Sequence, residues 1–324
     1  MQEIGGYFEL DTYCGEEYYP NAVALNCGRN AIAYVVQARK YKKVYVPTFC
    51  CESVTEGVHK GGAMSATYEI DESFRPIFHH ALMPHEAVLV VNYYGQLSNE
   101  EILSYKKRWQ RLILDNTQAF FHHPANGVDS VYSCRKFFGV PDGAYLASKI
   151  RLPNEPELDV STERMQFVLG RYEEPASKYY SLAANNNDRF SDIPIKYMSK
   201  LTHNLLRGIN YDATKKRRTE NASYLHSRLG KMNEIKYQVA DGAFMYPFYY
   251  GATIGRSLRD YLHQHKIYVP CLWPDVLKRE AEDSQAYRLA DNIVPLPCDQ
   301  RYGQEEMKYI VEKVEEFLRE GERV

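Results

Sequence analysis

Two stretches decide the fold: RLILDNTQAFF at residues 111–121 and SVYSCRKFFGVPDG at residues 130–143. In the first, an apolar run of strand length ends in the carboxylate Asp115, with Gln118 three residues on. In the second, a run of strand length ends at Ser133 and leaves Lys136 in the turn that follows. Similar runs precede and follow them, at KKVYVP (42–47), SATYEI (65–70), AVLVVNYYG (87–95) and AYLAS (144–148). Between several of these lie stretches of helical length: Asn30 to Arg39, Glu52 to Lys60, and Asn99 to Trp109 behind a Ser98 cap. Strand alternating with helix implies an α/β fold built on a mostly parallel sheet flanked by helices. Ligands of such sheets collect beyond the carboxyl ends of the strands, where Asp115 and Lys136 fall. LNCGRN (25–30) adds a glycine-containing turn leading straight into a helix. Singly, each of these pieces has a plainer reading as a turn, a cap or a solvated charge. Their order and spacing together carry the functional signal.

The remaining sequence divides in two. From Arg151 to Ile195 the pattern loosens into polar, proline-bearing sequence, including NNNDRFSD (185–192), which reads as a connection. Helices are expected at Ser199 to Asn210, Thr214 to Leu229 and Gly255 to His265, with strands at 235–239, 244–250, 267–269 and 292–296. A terminal helix places Met307, Ile310, Val311, Val314, Phe317 and Leu318 on one face. The expected organisation is a large domain over 1–195 and a smaller C-terminal α+β domain over 196–324.

Composition excludes several classes of function. The 324 residues carry 40 basic and 42 acidic side chains, a net charge of −2, so there is no electrostatic footprint for nucleic acid or anionic membrane. No apolar run approaches the ~20 residues that cross a bilayer, and the N-terminal MQEIGGYFEL lacks a targeting pattern, which points to the cytoplasm. The seven cysteines are odd in number, form no C-x-x-C and do not alternate with histidines at ligand spacing. They read as reduced thiols, and no metal site is expected. Neither G-x-G-x-x-G nor G-x-x-x-x-G-K-[ST] occurs, which argues against dinucleotide binding and P-loop chemistry. The 28 tyrosines suit interfaces and pockets that stay partly wet.

Taken together, LNCGRNAI, VYVP followed by TFCCESV, VVNYYG, LILDNTQAF and YSCRKFFGVPDGAYL resemble the fold type I pyridoxal phosphate (PLP) enzymes, specifically the DegT and StrS group of sugar aminotransferases. The resemblance covers about the first 150 residues well and the rest loosely. It implies that Lys136 forms the Schiff base with the cofactor aldehyde and then moves the substrate proton. It implies that Asp115 faces the pyridine nitrogen and keeps it protonated, with Gln118 on the ring hydroxyl side. Gly28, Arg29 and Asn30 would offer backbone N–H groups to the phosphate, and Ser133 a hydroxyl. Phe49 is the candidate to cover the ring, with Cys50 and Cys51 competing for that place. Relatives often carry N-Y-R-M near the end of the large domain, whose Asn reaches the neighbouring subunit's phosphate; here the alignable stretch is IKYM (195–198). Relatives that dehydrate sugars replace the lysine by histidine, so Lys136 speaks against dehydration.

The activity implied is transfer of an amino group from an amino acid, glutamate first, to a keto sugar, nucleotide-linked, by a homodimer. Another PLP reaction, a lyase or a transaminase of non-sugar substrates, is the nearest alternative. A non-catalytic protein that kept the fold is the second, and the presence of both Asp115 and Lys136 weighs against it.

Overall fold

The computed structural model describes residues 4–321. Ten strands and eleven helices alternate through its first half and mix in its second. The first half contains β1 (Val23–Leu25), α1 (Gly28–Arg39), β2 (Lys43–Pro47), α2 (Glu52–Lys60), β3 (Met64–Ile70), β4 (Pro76–Ile77), β5 (Glu86–Val91), α3 (Asn99–Trp109), β6 (Leu112–Asp115), β7 (Asp129–Ser133) and β8 (Ala144–Ala147). Its strands form one eight-stranded sheet in the order β1-β8-β7-β6-β5-β2-β3-β4. The centre of this sheet is parallel, through β3·β2, β2·β5, β5·β6 and β6·β7, and only the margins at β1, β8 and β4 run antiparallel. The α/β expectation and the mostly parallel sheet hold.

Local sequence explains why these elements form where they do. β6 and β7 are buried at every position, as strands covered by helices on both faces must be. α3 begins at a reciprocal capping box: Glu101 N–H donates to Ser98 Oγ, and Ser98 N–H donates to the Glu101 carboxylate. α1 opens on Cys27, whose sulfur accepts from the Asn30 N–H, and buries Asn30 through Val36. The parallel strands β2, β5, β6 and β7 all end on one edge, so Val91, Asp115 and Ser133 come out side by side.

Residues 151–195 depart from the expected loose connection. They carry α4 (Gln166–Glu173) and α5 (Ala176–Asp188), so most of NNNDRFSD is helical. Asparagine is a weak helix former, and the reason for the helix lies outside it. Asn186 donates from its amide to the Pro141 carbonyl at 2.8 Å, which ties α5 to the turn after Lys136. α4 lies so close to α5 that a Cβ on Gly170 would stand 2.3 Å from Tyr179 Cζ.

The rest of the chain contains α6 (Lys200–Arg207), α7 (Tyr211–Leu229), β9 (Tyr246–Phe248), α8 (Gly255–Gln264), α9 (Val276–Arg279), α10 (Gln285–Asn292), β10 (Val294–Leu296) and α11 (Gln304–Gly321). Two expected strands are not formed. Residues 235–239 form no ladder, because other groups satisfy the backbone: Asn233 Oδ1 accepts from Ile235 N–H, the Ile235 carbonyl from Tyr237 N–H and Gln96 Oε1 from Gln238 N–H. Residues 267–269 are claimed by α8 instead, Ile267 N–H donating to the Leu262 carbonyl and Val269 N–H to His263 Nε2. Only β9 and β10 pair, antiparallel. The apolar face expected on the terminal helix is present, with Met307, Ile310, Val311 and Val314 buried.

Candidate active site

A cavity opens at the carboxyl edge of the parallel strands. Gly28 and Arg29 at the start of α1, Cys50 and Cys51 after β2, Val91 and Tyr93 after β5, and Asp115, Thr117 and Gln118 after β6 line it. Ser133, Arg135 and Lys136 after β7 complete the near wall, and Asn187, Phe190 and Trp273 close it from later in the chain. Residues from seven segments thus converge where a switch between parallel strands leaves a crevice.

Asp115 is 4% exposed and its Oδ1 accepts the Thr117 N–H at 2.8 Å. Its second oxygen accepts no hydrogen bond from the described residues, which leaves one carboxylate oxygen for a ligand. Lys136 donates from Nζ to Thr117 Oγ1 at 3.0 Å, and its ammonium lies 5.7 Å from the Phe244 ring centre. Gln118 is buried, and its Oε1 accepts the Tyr94 N–H at 3.0 Å. Tyr94 has a left-handed backbone (φ 52°), so this bond pins the strained turn after β5 to the Asp115 loop. The Ser133 hydroxyl forms no hydrogen bond among the described residues.

The structure therefore brings Gly28, Arg29, Asp115, Gln118, Ser133 and Lys136 to one cavity. Asn30 and Phe49 do not line it. Asn30 donates its N–H to Cys27 and its side-chain amide to Asn26 Oδ1 and the carbonyls of Ile193 and Pro194, and its Oδ1 accepts from Lys60 Nζ, so it braces the turn from behind. Phe49 is fully buried, with ring centres of Trp273 and Tyr93 at 4.3 and 5.4 Å. Cys51 lies at the wall, and Cys50 donates its thiol to the Pro47 carbonyl at 3.0 Å while burial pushes its pKa up to about 12. The stretch Ile195–Met198 pairs back on its own chain, with Tyr197 bridged to Leu25 and Met198 N–H on the Ala24 carbonyl.

Sequence reading missed Thr117, Tyr93, Arg135, Phe190 and Trp273. Thr117 and Arg135 stood inside the quoted motifs beside residues already singled out. Trp273 sits in CLWPD (271–275), where one of only two tryptophans in the chain beside a proline was the available signal. The small-sheet half is latched here: Arg279 donates to the carbonyls of Thr48 and Cys50 at 2.6 and 2.7 Å, holding the loop after β2 beneath Trp273.

A larger open groove of about 590 Å³ lies near the start of β7, lined by Tyr18, Arg39, Asp129 and Lys149 among others. Its one close charge pair, Arg39 with Asp129 at 2.9 Å, is already satisfied, so it offers less chemistry than the strand-end cavity. Among the described residues no cluster of His, Cys, Asp or Glu is placed to hold a metal ion, and no helix is long and apolar enough to cross a membrane.

No family model and no curated protein matches the chain by sequence. Solved structures do match by shape. The sugar aminotransferase CalS13 from Micromonospora echinospora superposes with a TM-score of 0.60 at 16% identity, over 91% of this chain and 87% of that one. A DegT DnrJ EryC1 StrS aminotransferase from Brucella abortus gives 0.59 at 14% identity, over 91% and 85%. NtdA from Bacillus subtilis, solved with bound cofactor PMP, gives 0.63 at 14% identity, over 90% and 72%. With its parallel sheet centre, its flanking helices and its cavity at the carboxyl ends of β5, β6 and β7, the chain has the fold type I architecture of these aminotransferases.

Proposed function

We propose that the chain is a PLP-dependent aminotransferase that moves an amino group from an amino acid, glutamate first, to a keto sugar, nucleotide-linked, as a cytoplasmic homodimer. The observation that carries this reading is the convergence of one amine, Lys136, and one carboxylate with a free oxygen, Asp115, on the same cavity from adjacent strand ends. The likeness in fold to solved sugar aminotransferases supports it.

The residues present fit the cofactor. The amine for its aldehyde, the carboxylate for its ring nitrogen and a positively polarised helix start for its phosphate lie on three walls of one cavity. A Cβ on Gly28 would meet Thr117 Cγ2 at 3.3 Å, so any larger residue would fill the gap between the helix start and the Asp115 loop. When bound, PLP supplies a reactive aldehyde and a ring that accepts electrons from the substrate carbon.

Each protein group has a defined task in this reading. Lys136 would hold the cofactor aldehyde through Nζ, and its amine, when free, would carry the proton at the substrate carbon. Thr117 Oγ1 parks Nζ beside the Asp115 loop. Asp115, with the oxygen that Thr117 leaves free, would keep the ring nitrogen protonated. Gly28, Arg29 and Ser133 would hold the phosphate, and Gln118 would steady the ring side. Trp273 and Phe190 exclude water from the wall opposite the strands.

Exposed apolar side chains support the dimer. Tyr7 and Phe8 are essentially fully exposed, and Leu169, Tyr172 and Tyr180 present a second apolar surface on α4 and α5. Light scattering should give twice the chain mass, and a fully active monomer would remove the dimer from the reading.

The test of the substrate class is a half-reaction. The protein is converted to its pyridoxamine form with glutamate, then mixed with keto sugar nucleotides and separately with keto acids, and return of the PLP absorbance is followed. Return with the keto sugar is expected. Return with keto acids alone would overturn the sugar while keeping the cofactor.

A further inference from the structure

Arg135 is the one guanidinium at the cavity without a counter-charge. Arg29 is paired with Glu56 at 2.7 Å, and Arg164 with Asp159 at 2.8 Å. Arg135 shares the Phe190 ring with Arg164, their guanidinium carbons 4.6 and 5.3 Å from its centre, yet meets no carboxylate among the described residues. Its sole hydrogen bond is a long one, 3.4 Å, to Asn187 Oδ1, and its Nε is buried with no partner. Burial pushes its pKa down to about 10; the positive charges of Arg29 and Arg164 act in the same direction, and Cys27 and Asp142 act against it. A guanidinium whose Nε is shut off from water with no acceptor carries a desolvation cost that an anion at the cavity would relieve.

The surroundings define that anion. Arg135 lines the cavity together with Gly28, Arg29 and Ser133. The backbone N–H groups of Gly28 and Arg29 open α1 and have no acceptor among the described residues, and the Ser133 hydroxyl is likewise unengaged. Two helix-start N–H groups, one hydroxyl and a guanidinium make more donors than a carboxylate's two oxygens use well, but they suit the three terminal oxygens and double charge of a phosphate monoester.

We infer that Arg135 is the principal anchor of a phosphate monoester at the start of α1, so that a single chain supplies the whole charge-bearing part of the phosphate site. The inference rests on the PLP reading only for the identity of the natural ester. The phosphate site itself follows from the donors.

The experiment uses the full chain freed of cofactor. In matched ionic strength, inorganic phosphate should raise the unfolding temperature of the unmodified protein and should do so far less for Arg135→Met and Arg135→Gln, while Arg135→Lys keeps part of the effect. In phosphate-free buffer Arg135→Met should unfold no earlier than the parent, because it removes an uncompensated charge; a merely structural arginine would give marked destabilisation in both substitutions. In parallel, affinities for PLP and for pyridoxal, which lacks the phosphate, are measured by absorbance. Arg135→Met should lose PLP affinity by roughly tenfold to a hundredfold and leave pyridoxal unchanged. Equal stabilisation of parent and variant by phosphate, or an unchanged ratio of PLP to pyridoxal affinity, overturns the inference and leaves the cofactor reading intact. A phosphate effect lost in the variant, with no adduct from either aldehyde in the parent, supports the phosphate site and overturns the cofactor reading.

Discussion

Lys136 Nζ stands 3.0 Å from Thr117 Oγ1, and Thr117 N–H in turn donates to Asp115 Oδ1 at 2.8 Å. One threonine therefore joins the two charged groups that end neighbouring strands. It occupies one carboxylate oxygen and leaves the other free, and it holds the amine at the cavity wall without neutralising it.

Replacing Lys136 by Ala should abolish the borohydride-reducible PLP adduct while changing stability by less than about 0.5 kcal/mol, since the side chain is exposed and packs into no core. Lys136→Arg should fail equally, because a guanidinium forms no imine. A reducible adduct surviving at one site in the alanine variant would remove Lys136 from its role.

Asp115→Asn keeps an oxygen for the Thr117 N–H and so keeps the loop. It removes the charge that would hold a proton on the ring nitrogen, so cofactor should still bind and turnover should fall by at least about a hundredfold, a loss of roughly 2.7 kcal/mol. Steady-state rates check this, and turnover near that of the parent would make Asp115 a turn residue only.

Arg218 is a buried strut for the lysine turn. It is 2% exposed and donates to Gln300 Oε1 at 2.6 Å and to the carbonyls of Ala243, Phe244 and Phe137 at 3.0, 3.3 and 3.2 Å, its guanidinium 4.5 Å from the Phe137 ring centre. Arg218→Met strips Ala243 and Phe244 of this donor, while Gln300 still serves Phe137 at 2.7 Å. A loss of about 2–4 kcal/mol is expected from urea unfolding. An unchanged midpoint would show that these carbonyls find water at no cost.

Glu17 links acid sensitivity to the N-terminal segment. Burial alone would raise its carboxyl, but hydrogen bonds from His203 and Tyr145, at 2.7 and 2.5 Å, and the charges of His203 and Arg207 outweigh burial and hold it below its ordinary value of 4.5. A carboxyl with a depressed folded-state pKa contributes fully above its unfolded value and loses that contribution as pH falls through the folded one. The stability gap between the parent and Glu17→Gln should therefore shrink as pH falls below about 5. Parallel urea midpoints down to about pH 3 would sink this assignment.

The parts of the fold legible in the sequence are those specified by neighbours along the chain. α3 was readable to the residue because Ser98 and Glu101 define its start three positions apart, and its first and last turns carry the charges a helix end favours. β6 and β7 were readable because both faces are covered and every position is apolar or small enough to bury. α5 was not, because its asparagine-rich end favours a loop and the contact that anchors that end, Asn186 to the Pro141 carbonyl, spans 45 positions. Residues 235–239 and 267–269 have strand composition, yet side chains of Asn233, Gln96 and His263 satisfied their backbones before any partner strand did.

The same division runs through the candidate site. By itself the sequence determined the parallel sheet and the strand ends that carry Asp115, Ser133 and Lys136, because strand period, turn chemistry and helix caps are local properties of a few consecutive residues. Only the tertiary structure decided that Phe49 turns into the core, that Asn30 braces a turn, and that Trp273 and Phe190 close the cavity, because packing across the chain selects which side of a loop faces the crevice. It alone also left Arg135 without an ion-pair partner among the described residues, while Arg29 and Arg164 pair with Glu56 and Asp159: charge balance is a property of neighbours in space.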